Sequence, residues 1–212
     1  MGTAFRVFWA ALKDYYEEMF RLAGANLLWL VLAIPVVTLP PATAGMFYLA
    51  NQVAHHKSVE LGMFFEGLKK YFVKSWLWAL LNVAALVILY TNVVFYGEKV
   101  GGQWGSIAQG LFVGLGVMWC LIQLYVFPML LEQEQPRLLL ALRNAALMAF
   151  ASPIVTLVLG LLLVATAVLS LVLALPFAVA LMAVVALAAN EAVLTLLVQF
   201  GIRKPPEEMM EG

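Results

Sequence analysis

The sequence predicts an all-α, polytopic helical membrane protein. It has six transmembrane helices (or four plus a re-entrant hairpin) and three amphipathic helices on the cytoplasmic side. Three observations carry this expectation. Of 212 residues, 65% are hydrophobic and 11% charged, against about 25% charged in an average soluble domain. So few charges do not cover a water-facing surface. Four stretches, 76–96, 106–130, Pro153–Leu173 and 177–200, reach the roughly 20 apolar residues that a crossing needs. The basic residues, finally, fall unevenly among the connecting loops.

Residues 5–21 form the first amphipathic element. At 100° per residue, Phe5, Phe8, Trp9, Leu12, Tyr15, Tyr16, Met19 and Phe20 share an arc of about 140°. Arg6, Lys13, Asp14, Glu17, Glu18 and Arg21 take the opposite arc. Such a helix lies in the membrane interface with its apolar face down. Residues 22–54 are apolar but broken at Pro40-Pro41. Paired prolines remove two backbone donors and push Leu39 out of helical geometry. Two shorter helices, 22–38 and 42–54, are expected, meeting at a sharp turn and packed on each other. The second reaches only about 20 Å. Ala42-Thr43-Ala44 has the small-x-small form of a leader cleavage site, but Asp14, Glu17 and Glu18 argue against a short basic leader.

Residues 61–75 repeat the amphipathic pattern, with Leu61, Phe64, Phe65, Leu68 and Phe72 on one face and Glu66, Lys69, Lys70 and Lys74 on the other. The span 76–96 follows, then an external turn over 92–105 and the span 106–130. There Gly110 and Gly114 form a G-x-x-x-G that permits close contact between helices, read as packing within the subunit. Cys120 reads as a small packed residue. With one cysteine, no internal disulfide or multi-cysteine metal site is available. A third amphipathic helix, 136–148, starts at Pro136, which suits a first helical turn. The last two spans are separated by a turn at 174–177.

Orientation follows from the loops. If the proline-broken region enters and returns, all basic residues except Lys99 lie on one side. The positive-inside rule makes that side the cytoplasm and places both termini there, in a multi-pass protein of the cell (inner) membrane. The whole chain, 1–212, reads as one membrane domain with a short polar tail over 201–212. Leu12-Lys13-Asp14, Leu68-Lys69-Lys70 and Leu142-Arg143-Asn144 each precede a helical hairpin. This suggests a three-fold repeat over 4–56, 58–131 and 134–200. The alternative is that short cytoplasmic loops simply collect Leu and Lys.

Residues 26–48 carry a string beginning Asn26-Leu-Leu-Trp-Leu, continuing Pro35-Val-Val-Thr38-Leu-Pro40-Pro41-Ala42-Thr43-Ala44-Gly45 and ending at Tyr48. Phe64-Phe65, Lys69-Lys70, Phe72 and Lys74-Ser75 come downstream. This resembles the YesL-type family of bacterial integral membrane proteins. The likeness is specific over about residues 20–80 and rests on layout elsewhere. The family has no established activity. Its members are often encoded near sugar importers and polysaccharide-degrading enzymes. The resemblance therefore implies a context and assigns no chemistry to any residue.

No phosphate loop, nucleophile elbow or zinc-protease motif occurs, and no cofactor or metal is expected. His55 and His56 are adjacent, diverge by about 100° on a helix, and read as a helix end. Equal numbers of acidic and basic residues, 12 each, give no argument for nucleic acid. Glu191 stands apart. A charge near the bilayer midplane costs roughly 3 kcal/mol on insertion scales, so it is expected to face the interior beside Asn190. Neutral partners are available in Asn82, Gln123, Asn51 and Gln52, with Asn82 or Gln123 favoured. These six form a candidate intramembrane polar site. It reads either as a cytoplasm-facing cavity or as hydrogen-bonded glue between helices.

The expected function is a non-enzymatic accessory or scaffold protein of the bacterial cell membrane, with the lipid bilayer and a carbohydrate ABC-type importer or other membrane protein as partners. The alternative is a small transporter or channel with a polar cavity around Glu191. An accessory protein exposes an apolar partner surface, whereas a transporter needs a continuous polar path.

Overall fold

A computed structural model of the chain describes residues 2–204, without the side chains of Leu175 and Phe177. The tail expected beyond Lys204 lies outside the described residues. The described chain folds into α1 (Gly2–Glu17), α2 (Met19–Ala33), α3 (Leu39–Ala54), α4 (Leu61–Lys70), α5 (Phe72–Phe95), α6 (Gly102–Leu131), α7 (Leu138–Ala151), α8 (Pro153–Leu173), α9 (Leu175–Val179) and α10 (Leu181–Gln199). No strand occurs among the described residues. Among the described residues, four helices are long and apolar enough to cross a membrane: Phe72–Val100, Gly102–Leu131, Pro153–Leu173 and Leu181–Gln199.

Local chemistry explains where the helices depart from expectation. The external turn read over 92–105 shrinks to two residues. The helix runs on through Phe95 into a π-helical turn, Tyr96–Val100, and reverses at Gly101 and Gly102, whose φ angles are +60° and +62°. Only glycine adopts that geometry freely. The segment 177–200 is interrupted: Ala174 has φ +55°, and α9 precedes α10. Leu39 is the first residue of α3, and Pro40 and Pro41 fill its first turn. First-turn N–H groups have no intrahelical partner anyway, so proline costs nothing there. The sharp turn lies just upstream, where Val36 has φ +61°. Trp29 Nε1 donates to Thr43 Oγ1 at 3.1 Å and ties α2 to α3. Pro136 sits outside α7, which begins at Leu138.

The helices pack in a ring. In the middle, α3, α6 and α10 contact one another. Each packs beside a short helix: α3 with α4, α6 with α7, α10 with α1. The outer helices α2, α5 and α8 rest on this centre. The buried core draws on α3, the last turns of α6 from Ile122 onward, and α10. Small residues let backbones approach. A Cβ on Gly67 would collide with the Tyr48 ring, and one on Gly45 would lie 2.6 Å from the Phe64 carbonyl oxygen.

The face that α1 buries is not its aromatic arc. Ala4, Val7, Ala11 and Asp14 are buried, whereas Phe5, Trp9 and Tyr16 are exposed; the helix read over 5–21 breaks at Glu18, which leaves Phe20, also exposed, on α2. Small side chains permit contact with α10, and large rings favour the lipid interface. Two further expectations fail on α6. A Cβ on Gly110 or Gly114 would meet nothing within 4 Å, so the G-x-x-x-G is not used inside the chain. Cys120 is exposed rather than packed. Both belong to an arm that leaves the core. On α5 only Ser75 is buried, and on α6 no residue from 106 to 121 is.

Candidate functional site

The C-terminal ends of the three central helices meet. His55 caps α3, Glu132 caps α6, and Arg203 lies just past Phe200, the cap of α10. A helix C-terminus carries partial negative charge. His55 and Arg203 complement it, while Glu132 opposes it and needs partners. Arg203 Nη1 lies 2.8 Å from Glu132 Oε2, and His55 Nε2 lies 3.3 Å from Glu132 Oε1. Asn51 Nδ2 donates to Glu132 Oε1 at 2.8 Å and to Asn190 Oδ1 at 3.0 Å. Asn190, fully buried, donates in turn to the carbonyls of Phe47 at 3.3 Å and Ala186 at 2.8 Å.

His55 is placed to change partner with its charge. Its Nδ1 sits 2.7 Å from the Asn51 carbonyl oxygen, which assigns a proton to that nitrogen. Its Nε2 is 3.1 Å from Arg203 Nη1. The neutral ring accepts there from Arg203, and the protonated ring donates to Glu132. The hydrogen bond to Glu132 raises the His55 pKa against the opposing effect of burial. Burial pushes Glu132 up, but hydrogen bonds from His55 and Asn51, with the charges of His55 and Arg203, outweigh it and hold its carboxyl below the usual value.

Two cavities flank the cluster, the first walled largely by apolar side chains and the second by polar ones, and His55 lines both. One, of about 310 Å³, is bordered by Glu191, His56, Thr195 and Arg203. The other, of about 380 Å³, is bordered by Gln52, Lys57, Lys70, Tyr71 and Glu134, with Glu132 at its back. Lys70 Nζ sits 5.5 Å from the centroids of both Tyr48 and Tyr71, within cation–π range.

The six residues read from the sequence divide in two. Asn51, Gln52 and Asn190 join the cluster; Gln52 Nε2 donates to Asn51 Oδ1 at 3.4 Å, and its Oε1 accepts from Lys57 Nζ at 3.1 Å. Glu191, one position from Asn190 and so turned about 100° around the helix, borders the first cavity. Its carboxyl lies within hydrogen-bonding reach of Asp14 of α1. Burial raises the Asp14 pKa, with His56 pulling it the other way. The favoured pairing of Glu191 with Asn82 or Gln123 is not formed. Those two make a separate cluster between α5 and α6. Asn82 Nδ2 donates to Gln123 Oε1 at 3.2 Å, Trp78 Nε1 to the same oxygen at 2.9 Å, and Trp119 Nε1 to Asn82 Oδ1 at 3.0 Å.

Sequence reasoning missed Glu132, Arg203 and Asp14 and took His55 only as a helix end. The available signal was that three of these four charged or titratable residues close apolar helices. It also missed Asn26. That side chain donates to the Ala178 carbonyl at 2.7 Å and accepts from the Ala183 N–H at 3.1 Å, which bridges the break before α10. Among the described residues no buried side-chain polar atom lacks a partner, and no three His, Cys, Asp or Glu are grouped to hold a metal. No curated protein and no solved structure matches the chain. Residues 22–93 match the model of a family described as a protein of unknown function, DUF624. The match takes in Asn51, His55 and Asn82 and stops short of Glu132, Asn190, Glu191 and Arg203.

Proposed function

We propose that the chain is a non-enzymatic accessory or scaffold protein of the bacterial cell membrane, linked to carbohydrate uptake through an ABC-type importer. The observation that supports this reading is the α5–α6 arm. In the most apolar stretch of Phe72–Val100 no residue is buried, against 56% in Leu181–Gln199. The arm leaves apolar flanks such as Leu86 and Leu111 uncovered by the rest of the chain. That is the surface an accessory protein offers to a partner helix.

In the same reading both termini are cytoplasmic, with α1, α4 and α7 on that side and α3, α6 and α10 ending there. At 1.5 Å per residue, α2 and α3 are each only about 23 Å long. This favours a re-entrant hairpin over two full crossings of a roughly 30 Å hydrocarbon core. The cyclic packing of α3 with α4, α6 with α7 and α10 with α1 supports a three-fold internal repeat.

A photocrosslinking residue at Leu86 or Leu111, introduced into the chain in its native membrane, is expected to join it to the permease subunit of the importer. The second reading, a small transporter, is favoured by the cavity that Glu191 borders. It requires that the purified chain alone carry a sugar or a proton into vesicles. Such flux, with no permease adduct, would displace the accessory reading.

A further inference from the structure

An open groove of about 740 Å³ lies between the start of α5 and the start of α7. Its apolar side is Leu77 and Leu81 of α5 with the leucines at 138–140 of α7, and its polar rim is Arg137 and Arg143. No acidic residue lines it. Both arginines are exposed, and among the described residues neither guanidinium has a carboxylate partner. The Arg137 guanidinium donates to Gln135 Oε1 at 3.4 Å, and its backbone N–H to Gln133 Oε1 at 2.8 Å. The first turn of α7 opens at the groove without a side-chain cap, which adds the positive end of a helix dipole to the same rim.

We infer that this groove holds an anionic phospholipid, its phosphate between Arg137 and Arg143 and an acyl chain along Leu77 and Leu81. Three features select that occupant over others. Five leucines suit a hydrocarbon chain and no soluble anion. Two unpaired guanidiniums suit a phosphodiester, which they can bind bidentately. The groove also lies next to the Glu132 end of α6, where the basic residues gather and the bilayer interface is expected. The inference needs only a bilayer at that end, so it stands or falls separately from the accessory reading.

The test is lipid retention by the purified full-length protein, measured by native mass spectrometry from mixed phosphatidylglycerol and phosphatidylcholine micelles. Each guanidinium near an anionic headgroup is worth about fivefold in binding, so the wild type should prefer phosphatidylglycerol by about 30-fold. Arg137→Gln with Arg143→Gln should abolish most of that preference. Arg137→Lys with Arg143→Lys should keep most of it. Arg6→Gln with Lys69→Gln, an equal loss of charge at exposed sites elsewhere, should leave it unchanged. All four proteins should melt alike in neutral detergent. The inference is overturned if the double glutamine variant keeps the preference or if the distant pair loses as much. Displacement of the bound lipid by millimolar inorganic phosphate would overturn it too, by making the occupant a soluble phosphate.

Discussion

The centre of the ring and the α5–α6 arm are built from similarly apolar helices and behave as opposites. Around α3 and α10, residues such as Leu49, Leu187, Ala189 and Leu196 are fully buried, and polar side chains are drawn into one connected cluster. Along the arm, Leu80, Val87, Val113 and Leu115 face outward, and the polar side chains form an isolated patch between two helices. Hydropathy does not separate the two regions. Side-chain size alone does not either: alanines of α3 and α10 are buried at the centre, yet Ala84 of α5 and Gly110 and Gly114 of α6 stay uncovered on the arm. Membrane helices gain little from the hydrophobic effect against lipid, so close packing decides which of them form a core.

The sharpest way to break this contrast is to delete packing on each side of it. Leu187→Ala should cost about 2–5 kcal/mol of unfolding free energy, as cavities at fully buried leucines do, whereas Leu86→Ala on the arm should cost under about 0.5 kcal/mol. Unfolding in graded denaturing detergent measures both. Equal costs would mean that the arm is packed after all, by lipid or by a second chain.

Overpacking comes next. Gly67→Leu drives a side chain into Tyr48 and should cost about 1–3 kcal/mol. Gly114→Leu meets open space and should leave the melting temperature of the monomer in detergent unchanged.

Charge sharpens the comparison at the centre. Glu132→Gln removes the ion pair with Arg203 and the partner of protonated His55. Their side chains are 17%, 26% and 18% exposed, so solvent screening reduces the cost to about 1–2 kcal/mol. The same pair makes stability depend on pH. His55 is raised above its unfolded value of 6.5, so its contribution is complete below that value and is lost as pH rises through the folded pKa. Glu132 is lowered below its unfolded value of 4.5, so its contribution is present above that value and is lost as pH falls through the folded pKa. Melting temperature followed from pH 4 to 9 should therefore fall off above about 6.5. His55→Gln should remove that alkaline decline, and an unchanged decline would assign it to another group.

The smallest effect belongs to the arm's own polar patch. Gln123→Leu unties Trp78 and Asn82 and should cost about 0.6 kcal/mol, the usual scale of a hydrogen bond between membrane helices. A loss several times larger would show the patch to be structural rather than incidental.

Hydropathy and proline chemistry carried the reading a long way without coordinates. Pro153–Leu173 is a helix over the span read from its apolar run, because length and composition alone decide that. The turn before Pro40-Pro41 and the helix end at His55 follow from backbone chemistry that neighbours do not alter. Rotation about each helix axis is a different matter. Asn190 and Glu191 differ by one residue and so by about 100°. Packing against α3 decided that Asn190 is sealed in the core while Glu191 borders a cavity. The same freedom turned Gly110 and Cys120 away from the chain and the small face of α1 toward it. Residues far apart in sequence, His55, Glu132 and Arg203, became one site because three helices end at one point. Sequence pattern sets how deep a residue lies along its helix. Which neighbour it meets there depends on how the helices pack, and that is a property of the whole chain.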